Sequence, residues 1–538
     1  MALVKFSRKE FEKHVKLNKD IGEKIAMFGT PLESLTEEEI CIEIFPNRPD
    51  LLSLQGYLRS FLAFLGKKTG LREYKVRKPE KNFEVRVDSS VRNIRPFTVC
   101  AIVKSLKFDN EKIKEIIDVQ EKIHTTMGRN RKKIAIGIYP LEKISLPIKF
   151  EARVPRDIKF VPLGSSEEMN GMQILQRHPA GREYDYLLEG KEKFPVFVDS
   201  NNEILSMPPI INSHKTGKIT QETKEIFIEC SGFDLEVLSK ALNILVTILA
   251  DMGGEIYQMK ISGLNIITPD LKPEKMKLNL ENVNKLLGLN LKEPEIKKLL
   301  EKMGYNYKNK EAEIPAYRVD VLHEVDLIED IAIAYGYDKL VPEIPTIPGV
   351  GEEDKKQVLN RKISEMLTGL GIIEVSNYHL LTKEEIKKAD IKAEIEVEES
   401  KTDYKILRPN LMIPTLKILS SNIDSEYPQK IFEIGRVFSR DDKSETGIKE
   451  KDNLVVVRSP GNFTEIKQVL EYLGRMLDIK FEIKETQDKN FIEGRVGKIL
   501  FEGKEIGIIG EIHPQTLKNW HLKMPVSLFE ICVDELLS

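Results

Sequence analysis

The sequence predicts an α+β protein of several domains, and three observations carry that reading. At 538 residues the chain exceeds what one hydrophobic core supports, since domains run to ~100–200 residues. Apolar residues recur at helical period in some stretches and run together or alternate as strands in others. A stretch holding Pro342, Pro345, Pro348, Gly349 and Gly351 then reads as a linker before a last region in which strands dominate.

The elements follow in order. In residues 1–85, Pro46 and Pro49 stop a strand, and Asp50 is the expected cap of a helix carrying Leu51, Leu54, Leu58, Phe61, Leu62 and Leu65 until Gly66. Residues 86–268 read as a mixed α/β domain. Strands at Phe194-Pro-Val-Phe-Val and Glu225-Ile-Phe-Ile-Glu-Cys-Ser-Gly alternate there with helices at 110–127 and 233–252. Residues 269–345 form a small winged-helix-like module: helices at 280–288 and 293–303, a strand pair ending near Val321, then an acidic helix. Residues 346–538 read as an antiparallel sheet flanked by helices at 355–370, 409–422 and 463–477.

Composition removes several classes of function. Lys+Arg 83 against Asp+Glu 86 leaves a formal charge of -3, so no global basic field announces a polyanion binder, and any such partner must meet local patches. Cys41, Cys100, Cys230 and Cys532 show no metal-ligand spacing, which argues against a zinc ribbon and for free thiols in a reducing compartment. No apolar run reaches the ~18 residues of a membrane span and no signal core opens the chain, so a cytoplasmic protein without a membrane partner is expected. Neither a Walker loop nor a Rossmann GxGxxG is present.

The densest chemistry lies between Arg318 and Tyr337. Asp326, Glu329 and Asp330 stand at i, i+3 and i+4 and share a helix face, with Asp320 just upstream. Hard oxygen donors in that number suit Mg²⁺. The same residues also read as a solvated acidic first turn that complements the helix dipole while Leu327, Ile328 and Ile331 pack inward.

Several further motifs accompany that run. They are Phe45-Pro-Asn-Arg-Pro-Asp with Gln55-Gly; Arg177-His-Pro-Ala-Gly-Arg-Glu-Tyr; Met207-Pro-Pro-Ile-Ile-Asn-Ser; Arg408-Pro-Asn-Leu; Phe432-Glu-Ile-Gly-Arg-Val-Phe; and the ending Gly510-Glu-Ile-His-Pro-Gln-Thr-Leu. In this order they resemble the β subunit of phenylalanyl-tRNA synthetase, of the shorter archaeal/eukaryotic type, along essentially the whole chain.

That resemblance implies a magnesium site at Asp320, Asp326, Glu329 and Asp330. It also implies a degenerate class II catalytic fold at 346–538. Where a phenylalanine-arginine-x-glutamate signature belongs, the chain offers Phe432-Glu-Ile-Gly-Arg, and Gly507-Ile-Ile-Gly-Glu-Ile-His-Pro replaces a glycine-rich arginine helix. Activation of phenylalanine with ATP then falls to a separate α subunit in an (αβ)₂ tetramer with tRNA(Phe) as substrate. Residues 86–268 become an editing-like domain that hydrolyses tyrosine misattached to tRNA(Phe), because a phenylalanine pocket rejects an added hydroxyl only weakly. Gln120, Arg131, His178, Glu203 and Asn212 are the candidates for that site. Each has a plainer reading: Arg131 and Lys132 as surface charge, His178 as a cap before Pro179, Asn212 as a local backbone partner. The basic stretches Lys67-Lys68, Arg129-Asn-Arg-Lys-Lys and Lys355-Lys356 are candidates for tRNA phosphate contact. A free-standing tRNA-editing hydrolase and a non-catalytic scaffold remain as alternatives.

Overall fold

The computed structural model of the chain describes residues 2–344, 346, 349–398 and 400–537, which fall into two compact units, Met1–Glu343 and Ile344–Ser538. Both mix helices and sheets, so the α+β multidomain class holds. Among the described residues no helix is long and apolar enough to cross a membrane, and all four cysteines are free and buried.

The first unit opens with a small antiparallel sheet, Ala2–Ser7 and Leu32–Leu35 on either side of Glu39–Ile44. Helix α1 (Leu54–Phe64) brings Tyr57 and Phe61 against Phe6, Phe11 and Phe28, with ring centroids 5.5–6.4 Å apart. Ser53, and not Asp50, caps this helix: its Oγ accepts from Gly56 N at 2.9 Å. Pro49 initiates a 3₁₀ turn over Pro49–Leu51, which delays the helix and leaves Asp50 buried in the grip of Arg48.

An eleven-stranded sheet follows. Its strands include β1 (Phe97–Lys104), β2 (Ile134–Pro140), β3 (Ile211–Asn212), β4 (Ile226–Gly232) and β5 (Glu255–Ser262). Nine of them run in the order β3, Ile204–Met207, Phe194–Val198, Ile148–Arg153, Glu84–Val87, β5, β1, β4, β2, with β3 and β2 at the two ends, and Ile266–Thr268 and Val76–Arg77 pair with β5 off this path. Helix α2 (Asn110–Thr125) lies near β2, and α3 (Leu235–Asp251) packs on β1 and β4. In α3, Leu238, Leu242, Leu245 and Leu249 recur at i, i+4, i+7 and i+11 and are all buried, the stripe an amphipathic helix presents to a sheet.

The unit ends in a small module. Strands Glu274–Lys277, Glu311–Ile314 and Asn306–Lys308 form an antiparallel sheet beside helices Leu280–Leu287 and Glu293–Lys302, and α4 (Glu324–Tyr335) closes it. The expected strand pair therefore ends at Ile314, short of Val321, and has a third member. Of the linker residues, Pro342, Gly349 and Gly351 lie in irregular backbone, while Pro345 and Pro348 fall outside the described residues.

In the second unit a seven-stranded sheet runs Ile373–Glu374, β6 (Gln429–Arg440), Ile448–Ser459, Ser527–Cys532, β7 (Lys504–Ile512), Phe491–Phe501, Glu482–Glu485. All neighbours are antiparallel except the first pair. Side chains alternate across such a sheet. Leu454 and Val456 join one apolar cluster with helices Lys355–Gly369 and Phe463–Leu477, whereas Val455 and Val457 join another with α5 (Met412–Ser421). Both faces are covered.

Candidate functional site

The curled large sheet builds a cleft where its two edge strands approach each other. Ala135 and Ile136 of β2 and Ile211 and Asn212 of β3 both line a hollow of about 100 Å³, together with Gln120, Glu121, His124, Arg131 and Glu229. Three of the five candidates for the editing site, Gln120, Arg131 and Asn212, therefore converge.

Their partners define what each does. Ile136 points its backbone away from β4, and α2 satisfies both groups: Gln120 Nε2 donates to Ile136 O at 2.9 Å, and Ile136 N donates to His124 Nε2 at 2.8 Å. His124 must then carry its proton on Nδ1, which faces Glu121 Oε1 at 3.2 Å. Burial holds that imidazole below its ordinary pKa. Burial pushes the Glu121 carboxyl up, but His124 and Arg131 outweigh it and hold it at about 2. Arg131 sits in a loop whose Arg129, Asn130 and Arg131 all have positive φ, 48°, 52° and 64°, a costly run for residues with side chains. It is repaid by contacts: Arg131 Nη2 reaches both Glu121 oxygens at 3.1 Å, Nη1 donates to Ile210 O at 2.8 Å, and the guanidinium lies 4.3 Å from the Tyr184 ring centroid. Arg131 is a brace across the cleft, not the surface charge its basic tract suggests.

The polar floor of the cleft is the part that sequence reading missed. Glu229 is buried in β4, 1% exposed. Its Oε1 accepts from Tyr139 Oη at 3.3 Å, the same hydroxyl stands 3.3 Å from Asn212 Oδ1, and Oε2 has no hydrogen-bond partner among the described residues. Burial pushes the Glu229 carboxyl up to about 8, so it is largely protonated at neutral pH and can give or take a proton. Gly137 leaves the room, because a Cβ there would collide with Tyr139 Oη and Glu229 Oε1. The signal was available: a lone carboxylate inside an otherwise apolar strand.

Glu203 and His178 stand apart from the cleft lining. Glu203 Oε2 pairs with Lys215 at 2.7 Å. His178 caps the short helix Pro179–Tyr184, Nδ1 accepting from Ala180 N at 3.2 Å, with Nε2 at 3.2 Å from Leu163 O.

The four acidic residues near α4 are not arranged as one ligand cage. Arg318, 3% exposed, grips Asp320 through Nε and Nη2 at 2.7 Å each and reaches Asp330 at 2.8 Å. Asp330 also accepts from Tyr305 Oη. Asp326 caps the helix, taking Leu322 N and His323 N at 2.7 Å, and Glu329 is exposed. Among the described residues no three acidic, histidine or cysteine side chains group as a metal site. Burial pushes the Asp320 carboxyl up, but Arg318 beside it holds it below the usual range. In this arrangement Arg318 engages two of the four expected Mg²⁺ donors, Asp320 and Asp330, while Asp326 is turned to backbone N–H groups and Glu329 to solvent. Arg48, 4.0 Å from Asp320, adds a second cation and ties the Asn47-Arg-Pro-Asp turn to this cluster.

In the second unit the central polar groups are spent internally. Arg408, 1% exposed, donates from Nη1 to Glu433 Oε1 at 2.7 Å and from Nε to Arg436 O at 2.7 Å. A Cβ at Gly435 would collide with its Nη2, so Phe432-Glu-Ile-Gly-Arg is a seat for Arg408 inside β6. Glu530 holds the start of α5 by accepting from Leu411 N and Met412 N at 2.9 and 3.0 Å. Gly507 and Gly510 lie within strand β7, not a helix.

Comparison with known proteins agrees along the chain. Residues 340–533 match the profile described as "Phenylalanyl tRNA synthetase beta chain CLM domain", 276–337 the "tRNA synthetase B5 domain" and 74–245 the "B3/4 domain". The phenylalanine--tRNA ligase beta subunit of Pyrococcus abyssi is 42% identical over 497 residues, 90% of this chain and 89% of that protein. That of Archaeoglobus fulgidus is 37% identical over 541 residues, 97% and 96% of the two chains. The crystal structure of an N-terminal fragment of the phenylalanyl-tRNA synthetase beta-subunit from Pyrococcus horikoshii superposes with a TM-score of 0.60 at 37% identity, covering 62% of this chain and 99% of the fragment. The chain belongs to the family of phenylalanine--tRNA ligase beta subunits, components of an aminoacyl-tRNA synthetase.

Proposed function

We propose that this chain supports the ATP-dependent attachment of L-phenylalanine to tRNA(Phe) by a separate α subunit, in a cytoplasmic (αβ)₂ tetramer, and hydrolyses tyrosyl-tRNA(Phe) in the cleft of its large sheet. Residues 346–538 act as a degenerate class II fold. The Arg408–Glu433 pair supports this reading, because an arginine committed to a buried carboxylate is not available to a transferred phosphate. Mg²⁺ enters with ATP on the partner chain. The module at 269–345 is winged-helix-like and works as a structural block held by Arg318.

The observation that carries the editing reading is the buried Oε2 of Glu229, without a hydrogen-bond partner among the described residues, in a cleft whose apolar lining includes Ala135, Ile136, Pro209 and Ile211. A tyrosine hydroxyl satisfies that oxygen and a phenylalanine ring leaves it bare, which is how a site comes to reject the analogue that lacks one hydroxyl. The hollow takes the tip of a side chain, with the rest of the aminoacyl ester outside it. Asn212 and Tyr139 complete the polar floor, and Gln120 and Arg131 hold its walls.

The test is deacylation of tyrosyl-tRNA(Phe) by the assembled enzyme. Asn212→Ala and Glu229→Leu should each slow hydrolysis at least tenfold, and Glu203→Ala should leave it unchanged. Wild-type rates in the first two variants would take editing out of this cleft.

A further inference from the structure

We propose that a basic cavity in the first unit, distinct from the cleft above, is a binding site for a phosphate group. The cavity measures about 380 Å³, within the usual size of ligand pockets, and lies between α1, the loop 67–72 after it, the end of α3 and Tyr317.

Its floor is Arg59, whose side chain is 4% exposed. Arg59 Nη1 donates to Tyr74 Oη at 2.8 Å and Asp251 Oδ2 at 2.9 Å, and its Cζ stands 3.8 Å from the Tyr317 ring centroid. The other edge of the guanidinium, Nε and Nη2, is buried with no hydrogen-bond partner among the described residues. That is the edge with which arginine grips an oxyanion through two parallel bonds. The same unit shows the grip twice: Arg48 Nε and Nη2 hold Asp50 at 2.9 Å each, and Arg318 holds Asp320 at 2.7 Å each. On Arg59 the same edge carries no carboxylate among the described residues.

The surrounding charge selects an anion. Arg59, Lys68 and Arg72 line the cavity against one carboxylate, Asp251, whose oxygens are already taken. Oδ1 accepts from Arg72 at 2.9 Å and Tyr74 at 3.0 Å, and Oδ2 from Arg59 at 2.9 Å. Three cations facing one satisfied carboxylate leave a positive field that suits a phosphate oxyanion. The loop is set in advance: Gly70, at φ 85°, donates to Glu301 O at 2.7 Å, and Leu71 N donates to Asn306 Oδ1 at 3.1 Å. Of the basic pair Lys67-Lys68, Lys68 lines the cavity, while Lys67 Nζ donates to His14 O at 3.2 Å. A phosphodiester of an RNA strand and the phosphate of a small ester share this chemistry.

Titration of the full chain with inorganic phosphate, at constant ionic strength in chloride, tests the site by calorimetry and by thermal shift. Saturable binding is expected in wild type, weakened at least tenfold in the double variant Lys68→Ala/Arg72→Ala, which alters exposed side chains only. Arg59→Lys keeps the charge, removes the fork and should weaken binding comparably. Displacement of phosphate by a tRNA transcript would identify RNA as the source, and binding undisturbed by the transcript would identify a free phosphate ester. Heat that does not saturate, or a double variant that binds like wild type, would overturn the proposal.

Discussion

Glu229 couples the cleft to pH. Its carboxyl titrates at 4.5 when free and is pushed up to about 8 by burial in the fold. Between these values the folded chain keeps a proton that the unfolded chain has lost, so stability falls as pH rises through this window and the loss is complete above it. Glu229→Gln removes that dependence. Its melting temperature should match wild type near pH 4.5 and exceed it at pH 8.5, by on the order of a few kcal/mol in free energy. Equal differences at both pH values, measured by thermal denaturation, would show that the carboxyl is not titrating as placed. Gln120, Arg131 and Asn212 were legible as polar residues at loop ends, and the structure gathers them. Glu229 was marked only as a carboxylate inside a strand, because such a pattern shows that a side chain is inside without showing that it borders a hollow. Glu203 lies apart from them, and nothing local in the sequence indicates that its carboxylate turns to Lys215.

The α4 region shows what helical spacing can and cannot establish. The i, i+3, i+4 pattern correctly puts carboxylates on one short helix, but the counter-ion is decided by packing. Arg318, at the head of the same run, folds under the helix and takes Asp320 and Asp330, with Tyr305 donating to Asp330. Removing one partner of a buried charged pair strands the other and costs ~3–5 kcal/mol. Asp330→Asn should therefore lower the melting temperature by the same amount in Mg²⁺ and in EDTA. A loss seen only in Mg²⁺ would restore the metal to this helix. Helix and strand periodicity was otherwise a sound guide, as at Leu235–Asp251 and Phe463–Leu477. It erred where a proline turn or a third strand intervened, at Pro49–Leu51 and at Glu274–Lys277.

At the scale of the molecule, the two units divide the work. The first carries the cleft and the basic cavity. The second carries a sheet covered on both faces, in which Arg408 pairs with Glu433 and Glu530 accepts from Asn453 and from the backbone at the start of α5. Family-level order of motifs was readable from sequence because the motifs are colinear. The internal satisfaction of the second unit was not, since it depends on Gly435 making room for Arg408. The most direct measurement is phenylalanine-dependent exchange of pyrophosphate into ATP by the purified chain, alone and after addition of the α subunit. Exchange is expected only in the reconstituted mixture, and exchange by the isolated chain at an enzyme-like rate would contradict the division of labour.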